Sequence, residues 1–219
     1  MNRLFQENSP VIRFLTGFAD LIGVNLLLIV FSIPIVTMGA AITAALRVTR
    51  DIAKDEAAHI FRTFWRAFRE NFRQATIVWI PYAVLLVGLG WDIYLFQFLL
   101  DESAYQKMLI LLIVLLVMTV GTGVYLFMLI SRFENTVMQQ VKNALAMFFH
   151  YLPLSILLAC LNGIPAVLFV VSPYLFLQTF VVWAGFGFAL ICMLNNIILK
   201  SAFSALENGR KAERDEGKL

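Results

Sequence analysis

The residue types that most often carry out catalysis or bind metals are few in this chain and are not grouped at useful spacings. His59 and His150 have no Cys or carboxylate at metal-ligand spacing, and Cys160 and Cys192 both lie within apolar runs. The sequence contains no glycine-rich phosphate loop, no G-x-S-x-G elbow and no paired carboxylates in an apolar setting. We therefore predict no catalytic residue, no metal site and no cofactor, and we expect a protein that is not an enzyme.

Aromatic and arginine side chains between residues 61 and 73 have the spacing of a two-faced helix. At about 100° per residue, the rings fall on one stripe and four arginines on the adjacent stripe. Four arginines would cost about 10 kcal/mol or more near a bilayer centre, so we predict a cytoplasmic amphipathic helix in the interface, over about residues 45–74. Its surface either anchors to membrane lipid or docks a protein partner. The contact residues are Phe61, Arg62, Phe64, Trp65, Arg66, Phe68, Arg69, Phe72 and Arg73.

Small and amide residues recur near one depth of the predicted membrane spans. Such residues either let helix backbones approach closely or make room for a polar pocket at the midplane, and the sequence leaves both interpretations open. The residues of this predicted midplane layer are Asn25, Gly88, Gly90, Gly121, Gly123, Asn162, Gly163, Gly185 and Gly187.

The elements that must position these groups are predicted from hydropathy. The chain is 61% hydrophobic and 14% charged, whereas soluble domains have about 45–50% apolar and about 25% charged residues. Its apolar runs approach the roughly 20 residues that a helix needs to cross a bilayer. We predict an all-α integral membrane protein with a single membrane domain, residues 1–200, and a charged cytoplasmic tail, residues 201–219. The five predicted spans are residues 18–36, 76–98, 108–130, 152–171 and 176–199.

The distribution of positive charge predicts the orientation of these spans. Of 17 Lys and Arg residues, 14 lie in segments on one side, including seven between the first two spans. Since such segments stay in the cytoplasm, we predict the N-terminus outside and the C-terminus inside, and no role in nucleic-acid binding. An alternative makes the first run a cleavable signal peptide cut near Ala44-Ala45, which would place the seven cations outside, against the charge rule.

Several sequence blocks carry a resemblance to a known family. They are residues 34–46 (PIVTMGAAITAAL), Arg50-Asp51, the aromatic pattern from Phe61 to Ala75, and three later blocks, 132–135 (RFEN), 142–144 (KNA) and 150–153 (HYLP). With these blocks, the chain resembles the YesL family of small bacterial membrane proteins, a family catalogued as a domain of unknown function. The resemblance implies a bacterial plasma membrane location and a genetic context of carbohydrate-uptake ABC transporters and two-component sensors.

Three functional hypotheses follow from the pattern and the resemblance together. The first is a non-enzymatic accessory subunit that packs against the permease subunits of an oligosaccharide ABC importer, or against a second copy of itself. The second is a small transporter or channel built around the midplane layer. The third is a membrane sensor component linked to a two-component system.

Overall fold

The computed structural model describes residues 10–54 and 59–204, with side chains described from residue 15 onward. The described elements are helical, and no strand occurs among them. In chain order they are α1 (Pro10–Ser32), a 3-10 turn (Ile35–Thr37), α2 (Met38–Ala53), α3 (Ile60–Leu99), α4 (Glu102–Arg132), α5 (Val137–His150), α6 (Leu152–Val171), α7 (Pro173–Gln178), α8 (Phe180–Val182), a π turn (Trp183–Gly187) and α9 (Phe188–Ile198).

Within the described ranges, five helical segments are long and apolar enough to cross a membrane. They are Leu15–Ser32 in α1, then α3, α4 and α6, and finally Phe180–Ile198, in which α8, the π turn and α9 follow one another without a break. The prediction of an all-α membrane protein with five spans is therefore confirmed. Residues 205–219, most of the predicted tail, lie outside the described residues.

Local sequence signals explain where several helices begin and end. Thr136 and Gln139 form a capping box at the start of α5, each side chain hydrogen-bonding the other residue's backbone N–H at 3.4 Å. Ser172 caps α7, and Pro173 occupies its first turn, where a missing N–H costs nothing. Arg132 lies in the last turn of α4, where a cation complements the helix dipole.

The predicted interfacial helix at about residues 45–74 is not a separate element. Its first part belongs to α2, residues 55–58 lie outside the described residues, and residues from Ile60 onward belong to α3. Helix α3 has 40 residues and continues through the second span, a length of about 60 Å at 1.5 Å per residue. The predicted boundary near Gln74 came from a change in hydropathy. A helix can pass from the membrane surface into the lipid without ending. No glycine or proline interrupts the chain near Gln74, so the helix continues there.

Helix α2 is a buried core helix, which the sequence analysis did not predict. Ala40, Ala41, Ala44 and Ala45 are fully buried, the last two at the cut site of the signal-peptide alternative. The helix contacts α1, α3, α4 and α9. A Cβ atom at Gly39 would lie 2.5 Å from Trp79 Cβ and 2.9 Å from the Ala75 carbonyl oxygen, so only glycine permits this approach of α2 to α3. Small side chains thus let four helices surround α2 closely.

Candidate functional site

Asn25 joins α1 to the fifth span through a break in that span's hydrogen bonding. Its Nδ2 donates to the carbonyl oxygens of Trp183 (3.0 Å) and Ala184 (2.8 Å), and its Oδ1 accepts from the Ala189 N–H (2.9 Å). The π turn at Trp183–Gly187 interrupts the regular helical ladder, and Asn25 is fully buried against it. The amide therefore completes the hydrogen bonds of the π turn in an apolar setting.

A cavity of about 410 Å³ lies among α2, α3, α4, α6 and α9. Most of its lining is apolar. Its polar groups are the side chains of Trp79, Tyr82, Asn162 and Asn195. The indole N–H of Trp79 already donates to the Ile35 carbonyl oxygen at 2.7 Å. The cavity is thus large enough for a small organic molecule and offers two amides and a phenol as recognition groups.

The two amides at this cavity bind one another. Asn162 Nδ2 donates to Asn195 Oδ1, and Asn195 Nδ2 donates to Asn162 Oδ1, both at 3.0 Å. Asn162 Nδ2 also donates to the Leu158 carbonyl oxygen at 2.8 Å. Both Asn162 protons are therefore used, while one Nδ2 proton of Asn195 makes no hydrogen bond to the described residues. The pair ties α6 to α9 and leaves one amide proton available.

The glycines of the predicted midplane layer serve different purposes. A Cβ at Gly121 would lie 2.6 Å from the Phe148 ring, and one at Gly123 would clash with the Tyr82 hydroxyl. At Gly187 it would lie 2.7 Å from the Trp183 ring. These three glycines permit close packing, the first of the two interpretations.

The remaining glycines of the predicted layer have open space around them. A Cβ at Gly88, Gly90, Gly163 or Gly185 would meet no atom within 4 Å. Gly163 borders the cavity together with Gly123 and Asn162. Gly88 and Gly90 are exposed on the outer surface of α3. The predicted residues therefore do not form one layer. Gly123, Asn162 and Gly163 line the cavity, whereas Asn25 and Gly187 lie at the contact between α1 and the π turn.

Two members of the predicted contact surface on α3 lie inside the protein. Phe64 is fully buried and Phe68 nearly so. Their ring centroids lie 5.5 Å and 5.0 Å from the Phe31 ring of α1. Their assignment to lipid or partner contact is corrected, because the helical stripe was right but α1 covers part of it.

The rest of this contact surface is exposed. Phe61, Trp65 and Phe72 retain 63%, 42% and 39% of their accessible surface. The four arginines are exposed as well, and a shallow groove lies among Arg62, Trp65, Arg66, Arg69 and Glu70. This exposed set forms the α3 contact face, which consists of Phe61, Arg62, Trp65, Arg66, Arg69, Phe72 and Arg73.

A polar cluster centred on Asn196 was not predicted from the sequence. Its Nδ2 lies within hydrogen-bond distance of the Leu46 carbonyl oxygen (2.8 Å), Thr49 Oγ1 (3.1 Å) and the Cys192 carbonyl oxygen (3.1 Å). Its Oδ1 accepts from Arg132 Nη2 at 2.8 Å. The adjacent amides Asn195-Asn196 in an apolar span were the available signal, since buried polar residues in membrane helices require partners.

Fold and site together define a multi-pass α-helical membrane protein. Among the described residues, no three His, Cys, Asp or Glu side chains are grouped so that they could hold a metal ion. Residues 21–93 match the family model described as "Protein of unknown function, DUF624". That match covers the second half of α1, all of α2 and most of α3. No curated protein and no solved structure matches the chain.

Proposed function

We propose that this chain is a non-enzymatic accessory subunit of the bacterial plasma membrane, which binds a larger membrane assembly through the α3 contact face. The observation that carries the proposal is that this face remains exposed while Phe64 and Phe68 of the same helical turns are buried against α1. Exposed Arg and aromatic side chains on a rigid support are the residues that most often dominate binding energy at protein interfaces.

The support beneath the α3 contact face is itself fixed. Phe31 packs on Phe64 and Phe68, and α1 is joined to the fifth span by the hydrogen bonds of Asn25. Little backbone freedom is therefore lost when a partner binds, which favours affinity. Because α3 is one helix, the face is also continuous with a membrane span, so a membrane-embedded partner can contact both parts.

The partner class comes from the resemblance to the YesL family, with which a match to a family of unknown function is compatible. It is the permease subunits of an oligosaccharide ABC importer. In the orientation proposed from the charge distribution, the N-terminus is outside and the α3 contact face is cytoplasmic. Its four arginines then suit an acidic surface on the cytoplasmic side of a permease.

The test is copurification of the tagged full chain with permease subunits encoded in its own operon. The double variant Trp65→Ala/Arg66→Ala should reduce the recovered permease about tenfold or more, as expected for interface hot spots. The matched control Trp91→Ala/Tyr94→Ala removes two exposed aromatic side chains from the other end of α3 and should change little. Wild-type protein that never copurifies with a permease, or equal loss in both variants, would refute the proposal.

The cavity beside Asn162 and Asn195 favours a second candidate, a small transporter or channel. It offers about 410 Å³ and, among membrane helices, one Asn195 amide proton that makes no hydrogen bond to the described part of the chain. The test is solute flux in liposomes that contain the purified protein. A transporter should lose flux when Asn162 is replaced by Leu and keep it when Val170→Leu, an exposed position of α6 that does not line the cavity, is made as the control. No flux of any oligosaccharide or monosaccharide with the wild-type protein would eliminate this candidate.

A further inference from the structure

A second cavity, of about 420 Å³, lies where α2, α4 and α9 end. Side chains from the ends of all three helices line it. The cations that line it are Arg50, Lys54, Arg132 and Lys200, and its other polar lining residues, Asn196 and Ser204, already donate to carbonyl oxygens of the chain. No carboxylate is among the described residues that line this cavity.

Two of these side chains are held in place by their surroundings. The Arg132 guanidinium donates to Asn196 Oδ1 at 2.8 Å and lies 4.2 Å above the centre of the Phe203 ring. Asn196 is in turn fixed by the Leu46 carbonyl oxygen and Thr49. The arrangement is therefore preorganised, as effective charge-binding sites are.

Arg50 has hydrogen-bonding capacity left over. Its Nε atom is buried and donates no hydrogen bond among the described residues. Asp51 Oδ1 lies 3.6 Å from this atom, which is an ion-pair distance and too long for a hydrogen bond. The Nε atom has no surface that a ligand oxygen could contact, so Arg50 contributes to this cavity through the positive charge of its guanidinium group.

Cations outnumber carboxylates among the described groups at this cavity. Four cations line it, and Asp51 is the carboxylate that lies at ion-pair distance from one of them. The C-terminal ends of α2 and α4 each add about half a negative charge. Guanidinium and ammonium groups bind phosphate oxygens well.

The position of the cavity indicates where the phosphate comes from. Arg132 and Lys200 are the first charged residues after the apolar runs of the third and fifth spans, which places them at the depth of lipid headgroups. Ile197 lines the same cavity and is 48% exposed, so an acyl chain can lie beside the site. We infer that this cavity binds the phosphate group of an anionic phospholipid, as basic pockets between membrane helices can.

The experiment measures lipid binding to the detergent-purified full chain by native mass spectrometry and by ligand-dependent thermal stabilisation. Phosphatidylglycerol, phosphatidylcholine with the same acyl chains, and inorganic phosphate are titrated separately. We expect the wild-type protein to prefer phosphatidylglycerol. The Arg50→Gln/Lys200→Gln variant should bind it about 25-fold more weakly, about fivefold for each cation removed.

A matched control removes the same charge elsewhere. Lys107→Gln/Lys142→Gln removes two exposed cations outside both the cavity and the α3 contact face, and it should keep the wild-type affinity within about twofold. If the double variant at the cavity does not fold, the single change Lys54→Gln at the exposed end of α2 should still weaken binding about fivefold.

Three results would overturn the inference. The first is equal affinity of the wild-type protein for phosphatidylglycerol and phosphatidylcholine. The second is an equal effect of the cavity and control variants. The third is binding of inorganic phosphate as tight as that of phosphatidylglycerol, which would assign the site to a soluble phosphate compound.

Discussion

The region around α2 and the far end of α3 are built on opposite principles. Around α2, alanines, Gly39 and Thr43 are buried on nearly every side, and helix backbones approach closely. At the far end of α3, Val84, Val87 and Trp91 remain more than half exposed, and Gly88 has open space beside it. Both regions lie in one membrane protein with similar helices. Packing between helices of the chain is thus concentrated around one short helix, while side chains at the far end of α3 face lipid.

The largest expected effect on stability compares a buried and an exposed aromatic side chain of α3. Phe64→Ala removes a fully buried ring against Phe31 and should lower the free energy of unfolding by about 3–4 kcal/mol. Phe61→Ala, one helical turn away and 63% exposed, should change it by less than about 0.5 kcal/mol. Thermal and denaturant unfolding of the purified proteins in detergent measures both. Equal losses of stability in the two variants would contradict the burial of Phe64 and the exposure of Phe61.

Smaller effects are expected at two helical glycines, where the same substitution should change stability in opposite directions. Gly39→Ala places a methyl group 2.5 Å from Trp79 Cβ and should destabilise the protein by about 2 kcal/mol, as overpacking does. Gly88→Ala meets no neighbour and should stabilise it by about 0.5–1 kcal/mol, because alanine is the better helix former. The same unfolding assay compares them. Stabilisation by Gly39→Ala would contradict the close approach of α2 to α3.

The smallest of the three effects concerns the contact between α1 and the π turn. Asn25→Leu leaves two carbonyl oxygens and one N–H without their partner, at a cost of about 1–2 kcal/mol. Hydrogen exchange should also become faster at Ala189, whose amide donates to Asn25. The neighbouring exposed residue gives the control, since Leu26→Ala should leave that exchange rate unchanged. An unchanged exchange rate at Ala189 in Asn25→Leu would show that Asn25 does not hold the π turn to α1.

Hydropathy was sufficient to predict the spans, because about 20 apolar residues in a helix have few other uses. It failed for α2, since a 16-residue helix rich in small residues is neither long nor strongly apolar. The signal for α2 was instead the small side chains of residues 39–45, which permit close packing.

The periodicity of the sequence and the position of residues along a span each predicted only part of the candidate site. The aromatic stripe was placed correctly on one helical face, but lipid and protein are both apolar, so the pattern could not show that α1 covers Phe64 and Phe68. The glycines were likewise placed at one depth, whereas the direction in which each faces decides between the cavity and lipid. Gly123 borders the cavity and Gly88 does not, although each is central in its predicted span.

Membrane topology gives the most direct test of five crossings with the basic segments on one side. Single cysteines are introduced as Arg66→Cys, Lys200→Cys and Asp101→Cys in a Cys160→Ala background, and intact and permeabilised cells are treated with a membrane-impermeant maleimide. We expect labelling of the cysteine at position 101 in intact cells, and labelling at positions 66 and 200 only after permeabilisation. Labelling that places positions 66 and 200 on opposite sides of the membrane would contradict this topology.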